Sequence, residues 1–148
     1  MRPRLEEPTA GLRIVLDTNV VVSAILSLLR GREESPSLLI FNLLAEDSDK
    51  SPVLLLSDAI LAEYSTVLER PRFGIPPEVI RKKLDLISAT AVMLRPGSRI
   101  EVVDRKDSVF LECALDGLAD YLITGNKRHY PNWTIVVTPR EFLNMRKG

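Results

Sequence analysis

The chain has 148 residues, 45% of them hydrophobic and 27% charged, which is the size and composition of one globular domain with a substantial core. Its twenty basic and twenty acidic side chains cancel, so no global charge points to a nucleic-acid partner. The single cysteine, Cys113, excludes an internal disulfide and a cysteine-built metal site and fits a reducing, cytoplasmic setting.

Residues 1–12 mix arginine, glutamate and proline with no apolar run behind the charges. They read as a flexible tail without a signal peptide's hydrophobic region, and a single folded domain is expected over residues 13–148. The most apolar run, Val20 to Leu29, is broken by Ser23 and Ser27 and is too short to span a bilayer, so no membrane role is expected.

Ile14-Val15-Leu16 has the two-sided apolar character of a central parallel strand. Asp17-Thr18-Asn19 then supplies helix-capping side chains, which places Asp17 at a strand's carboxyl end, where open α/β sheets bind ligands. Taken alone, Asp17 is first of all an N-cap; only further acids at matching positions make it a site residue. The first helix is expected from Thr18 to Arg30, ending at Gly31. Ser37 to Glu46 forms a second helix after a turn at residues 33–36, and Val53 to Leu56 a second buried strand.

The third helix, expected over Ala59 to Glu69, contains an anomaly. Ile60, Tyr64 and Val67 define its apolar stripe, yet Glu63 lies on or beside that stripe. A carboxylate directed at a core needs a cation, a metal, donors or an opening, and an arginine salt bridge is the plainest partner. Pro71, Pro76 and Pro77 bar continuation, so the next helix runs from about Glu78 to Ala89, followed by a short strand at Thr90 to Leu94 and an extended piece at Ile100 to Val103.

Asp104-Arg105-Lys106-Asp107 introduces a helix to Leu115, with Phe110, Leu111, Ala114 and Leu118 as its inner face and Asp107 in its first turn, where the helix dipole favours negative charge. Glu112 lies deeper, at the stripe's margin. Tyr121-Leu122-Ile123 then repeats the first strand's grammar, ending in the polar turn Thr124-Gly125-Asn126. Trp133 to Val137 is the last strand, and Thr138-Pro139-Arg140-Glu141 matches a capping box opening a terminal helix to Arg146. Five strands alternating with helices give an α/β domain with a mainly parallel sheet.

Four segments, Val15 to Val20, Ser57 to Tyr64 with Leu68 to Pro71, Asp104 to Ala114 and Ala119 to Asn126, stand in an order and spacing that resembles the PIN-domain family, in particular its toxin components of toxin–antitoxin pairs. The resemblance covers about Arg13 to Leu143. It implies a three-layer α/β/α fold with about five strands, and a ribonuclease that binds Mg²⁺ or Mn²⁺ through Asp17, Glu63 and Asp107. An oxygen-only donor set suits those hard cations and disfavours zinc. The family commonly has Asp where this chain has Asn126, so the fourth metal ligand keeps an oxygen and loses a charge. Asp104 and Glu112 are possible substitutes for that charge, and Thr18, Asn19, Ser23 and Thr124 are accessory candidates. RNA, a cognate antitoxin protein and a second copy in a homodimer are the partners the resemblance implies.

Residues 1–66 carry six basic against ten acidic side chains and residues 67–148 fourteen against ten. A basic groove built from the second half is therefore expected near Arg105, Lys106, Lys127 and Arg128. His129 and Cys113 carry no nucleophilic or general-base signature. The main rival reading is a PIN fold that keeps its binding surface without catalysis, which Asn126 favours. A phosphotransfer receiver is disfavoured because no lysine follows the last strand.

Overall fold

A computed structural model describes residues 11–46, 48–97 and 105–145, with the side chains of residues 105 and 106 outside that description. The tail to residue 10, the extended piece at Ile100 to Val103, Asp104 and the end of the terminal helix at Arg146 all lie outside the described residues.

The chain folds in the order β1 (Arg13–Leu16), α1 (Thr18–Leu29), α2 (Pro36–Ala45), β2 (Val53–Leu56), α3 (Asp58–Leu68), α4 (Pro77–Ser88), β3 (Val92–Met93), α5 (Arg105–Asp116), β4 (Tyr121–Ile123), β5 (Val136–Val137) and α6 (Pro139–Asn144). Five strands form one sheet in the order β3-β2-β1-β4-β5, every neighbouring pair parallel. Ile14, Val15 and Leu16 are each inaccessible, as are Leu54, Leu55 and Leu56. Successive strand residues point to opposite faces, so both faces of the sheet are covered and it is the middle of three layers. α5 packs on β1, β2 and β4, while α1 packs on α2 and α3, and α2 on α4 and α6.

The edge strands β3 and β5 are shorter than the sequence suggests, two residues each, because each has a partner on one side only. Caps set the helix starts. Ser35 and Ser57 accept from the backbone N–H groups of Leu38 and Ile60, which starts α2 at Pro36 and α3 at Asp58. Thr138 and Glu141 form the expected capping box, with α6 starting at Pro139. The stripe of α3 is Ile60, Tyr64 and Leu68, with Val67 only half-buried.

Leu118 corrects the expected inner face of α5. The helix ends at Asp116, and Leu118 is 80% exposed with φ 52°. The turn closes by bonds from the N–H groups of Leu118 to Leu115 and of Ala119 to Ala114, a helix stop whose left-handed residue is usually glycine. Glycine is needed one position earlier, since a Cβ on Gly117 would stand 2.5 Å from Leu94 and 2.7 Å from Leu55.

The topology fixes where a ligand can enter. From β1 the chain moves outward to β2 and β3, and from β4 it moves the other way to β5. The order reverses between β1 and β4, and the crevice outside their carboxyl ends is the place where open α/β sheets bind ligands.

Candidate active site

Asp17 leaves the tip of β1 and caps α1 in extended conformation. Its Oδ1 accepts the Thr18 backbone N–H at 2.7 Å, and its Oδ2 accepts the Thr124 hydroxyl at 2.7 Å and the Asn19 side-chain amide at 3.2 Å. The capping reading holds, and the carboxylate that caps α1 is also held by the end of β4. Asn19 strengthens that link, because its Oδ1 accepts the Gly125 backbone N–H at 2.9 Å. A Cβ at Gly125 would meet that same oxygen at 3.2 Å.

Glu63 is half-buried on α3, one residue before a fully buried tyrosine. The Tyr64 hydroxyl donates to the Leu16 carbonyl at 2.6 Å, and its ring lies 6.3 Å from that of Phe110 on α5. One side chain therefore fixes the helix of Glu63 against the strand of Asp17 and the helix of Asp107. The expected arginine partner of Glu63 is not found: among the described residues its carboxylate makes neither an ion pair nor a hydrogen bond. Asp107 stands half-buried in the first turn of α5.

Asp17, Glu63 and Asp107 line one cleft of about 540 Å³, together with Thr18, Asn19 and Ser23. Burial raises the pKa of Asp17 above the usual carboxylate value, against the opposing donors Thr124, Thr18 and Tyr130. Two hydroxyl oxygens beside it, those of Thr18 and Tyr130, are buried without a hydrogen bond of standard geometry. Tyr130 stands close enough to feel both acids, and burial and the charges of Asp17 and Asp107 push its pKa far up, so it stays protonated. Carboxylates, hydroxyls and amides form the oxygen-rich donor set that a hard divalent cation takes. The spacing is looser than a closed shell, for among the described residues no three His, Cys, Asp or Glu side chains stand close enough to hold an ion jointly. Mg²⁺ commonly keeps several waters, which suits so open a set.

One family model, described as PIN domain, matches residues 13–128. The chain belongs to the PIN-domain family. PIN domains are usually nucleases, and their nucleases generally use divalent metals. No curated protein matches the sequence.

The other residues singled out from the sequence of this PIN domain are placed differently. Asn126 is not among the cleft's lining residues; its side-chain amide lies 3.1 Å from His129 Nε2, and its backbone N–H donates to Thr124 Oγ1. Glu112 is buried in α5 outside the cleft lining. Lys127 is directed to Glu141 at 3.3 Å, and Arg128 is exposed outside the lining. The cleft instead carries Arg70, Arg72, Phe73 and His129. In the sequence Arg70 and Pro71 belong to the segment that carries the family resemblance and Pro71 to Pro77 bar the helix, but two arginines flanking a proline beside an aromatic were a usable signal for the cleft as well. A larger groove, about 740 Å³, lies between α3 and α4 around Leu61, Ile80 and Leu84. It holds none of the three acids.

Proposed function

We propose that this PIN domain is a Mg²⁺- or Mn²⁺-dependent ribonuclease that hydrolyses RNA phosphodiester bonds, and that it serves as the toxin of a toxin–antitoxin pair. The observation that carries the enzymatic reading is the meeting of Asp17, Glu63 and Asp107, from β1, α3 and α5, in one cleft at the sheet's switch point. A bound divalent cation would activate water as a nucleophile and offset charge building on the phosphate. Asp17, Glu63 and Asp107 line the cleft without standing close enough to share an ion directly, so they would hold it in part through the waters that Mg²⁺ commonly keeps. Thr124, Asn19 and the Thr18 backbone N–H keep the Asp17 carboxylate turned in a fixed direction, which costs nothing at the moment of reaction.

The wider role rests on the sequence resemblance: a cytoplasmic homodimer held in check by a cognate antitoxin protein. Co-expression with the product of the neighbouring gene, followed by size-exclusion chromatography, tests that part separately.

For the chemistry, labelled RNA is incubated with purified protein across a Mg²⁺ and Mn²⁺ series, with EDTA as blank. Cleavage that needs the metal and falls to the blank in Asp17→Asn and Glu63→Gln supports the reading. RNA that is bound but uncut at every metal concentration replaces it with a binding module, the reading that Asn126 in place of the family's Asp favours. Cleavage that survives both substitutions moves the active site elsewhere.

A further inference from the structure

We infer that the segment Arg70 to Phe73 is the strand-holding rim of the acidic cleft, with Arg70 contacting a phosphate and the Arg72–Phe73 pair offering a stacking surface to one unpaired base. The inference rests on the ribonuclease reading for the identity of its ligand.

Three acids around one cleft repel a polyanion, so a nucleic-acid site there needs cations at its edge. The arginines that line the cleft among the described residues are Arg70 and Arg72, both carried by one short segment. No ion pair occupies either guanidinium among the described residues. Of the basic side chains expected for this task from the sequence, Lys127 is directed to Glu141, Arg128 is absent from the cleft lining, and those of Arg105 and Lys106 lie outside the described residues.

The backbone of the segment is closed by local hydrogen bonds. Pro71 opens a single 3-10 turn over Pro71–Phe73, closed by bonds from the Phe73 N–H to the Arg70 carbonyl and from the Gly74 N–H to the Pro71 carbonyl, both 3.1 Å. Gly74 takes the left-handed conformation, φ 62°, that ends the turn. Arg70 precedes the turn in extended conformation, and Phe73 is its last residue. Both line the cleft. Arg72 lies over the Phe73 ring with its guanidinium carbon 4.8 Å from the centroid, so the planar cation and the ring form one pre-ordered surface.

Arginine planes and aromatic faces are the surfaces on which proteins stack unpaired bases, and a base inside a duplex cannot reach them. Guanidinium groups also bind phosphate through paired N–H donors. Phe73 is half-buried and Arg72 exposed, so the ring is anchored in the protein while the cation faces the incoming strand.

The test is fluorescence anisotropy of a labelled twelve-nucleotide single-stranded RNA and of the same sequence as a duplex. It is run in EDTA so that no cleavage occurs, over 50–200 mM salt, with melting temperatures as the folding control. Phe73→Leu keeps an apolar side chain without a ring and should weaken single-strand binding at least about fivefold while leaving the salt slope unchanged. Phe73→Tyr should restore it. Arg70→Gln should weaken binding and flatten the slope by about 0.7, the loss of one phosphate contact.

Single-strand affinity that is absent in the wild type, unchanged in all three variants, or lost equally for the duplex overturns the inference. Because binding is read without metal, failure of catalysis alone leaves it standing. Equally, cleavage by variants whose binding is unchanged refutes the rim and not the nuclease.

Discussion

The Thr124 hydroxyl donates a 2.7 Å hydrogen bond to Oδ2 of Asp17, tying the carboxyl end of β4 to the acid at the end of β1. The Thr124 hydroxyl oxygen in turn accepts the Asn126 backbone N–H at 3.0 Å, so one buried side chain orders both walls of the switch-point crevice. Thr124→Val keeps the shape, removes the donor and strands the Asn126 N–H. The expected result is a roughly 10- to 100-fold loss of Mn²⁺ affinity, the usual effect of losing a ligand's outer partner. It should come with about 1–3 kcal/mol of lost stability. Calorimetric Mn²⁺ titration and urea unfolding check the two parts, and unchanged affinity refutes the link.

Asp17 sets a pH dependence in the metal-free protein. Its pKa is raised in the fold, first by burial, so the folded state holds this proton more tightly than the unfolded chain. The corresponding stability is complete below the unfolded value of 3.8 and is lost as pH rises through the raised folded value. Asp17→Asn cannot ionise. In EDTA, the stability of the variant relative to wild type should therefore improve as pH climbs through that acidic window and stay constant above it. A difference that ignores pH in urea titrations would contradict the buried-charge account.

The order of elements and the parallel sheet were legible because their signals are local: β-branched runs, serine and threonine caps, prolines at helix starts. That Glu63 would not face the core was legible as well, since a carboxylate beside the Ile60–Tyr64 stripe had to face something else, and it lines the cleft with Asp17 and Asp107. What sequence could not show is long-range. The bond from Tyr64 to Leu16, the Thr124 tie and the proximity of Tyr130 to Asp17 each join residues that only the fold brings together. Leu118 was misread because helical spacing alone does not reveal that Gly117 is spent on packing against Leu94.

That misreading yields a stability prediction. Leu118 holds a left-handed conformation while 80% exposed, so it carries backbone strain of about 1–2 kcal/mol and returns little burial. Leu118→Gly relieves the strain and gives back part of it as unfolded-chain entropy. A net gain of about 0.5–1 kcal/mol is expected in urea unfolding. A loss of stability would mean that the leucine packs on a surface that its exposure does not show.

Cys113 is wholly buried in α5, and burial, with the charge of Asp116 adding, pushes its thiol up to about 11. At pH 8 the thiolate is then about one part in a thousand, and it is also shielded. Iodoacetamide should leave the native protein unmodified over a period that fully alkylates the urea-unfolded chain. Labelling of both at one rate, followed by mass spectrometry, would show that α5 opens readily.

Tyr64 offers the sharpest separation of scaffold from chemistry. It touches no cleft surface, yet its hydroxyl fixes α3 to the Leu16 carbonyl and its ring leans on Phe110 of α5. Tyr64→Phe preserves the ring contact and deletes the hydrogen bond, leaving a buried carbonyl short of one donor, at a cost of about 1–2 kcal/mol. The domain should remain folded at 25 °C, with RNA affinity in EDTA unchanged because the Arg70–Phe73 rim is untouched. Metal demand should rise, since Glu63 is no longer held in register with Asp17, and a displacement of about 1 Å can cost on the order of a hundredfold in rate. A variant that is destabilised but cleaves at wild-type metal concentrations would show that Tyr64 supports the core alone. A variant with weakened RNA binding in EDTA would instead show that α3 carries the rim along with it, because the Arg70 segment follows directly from that helix.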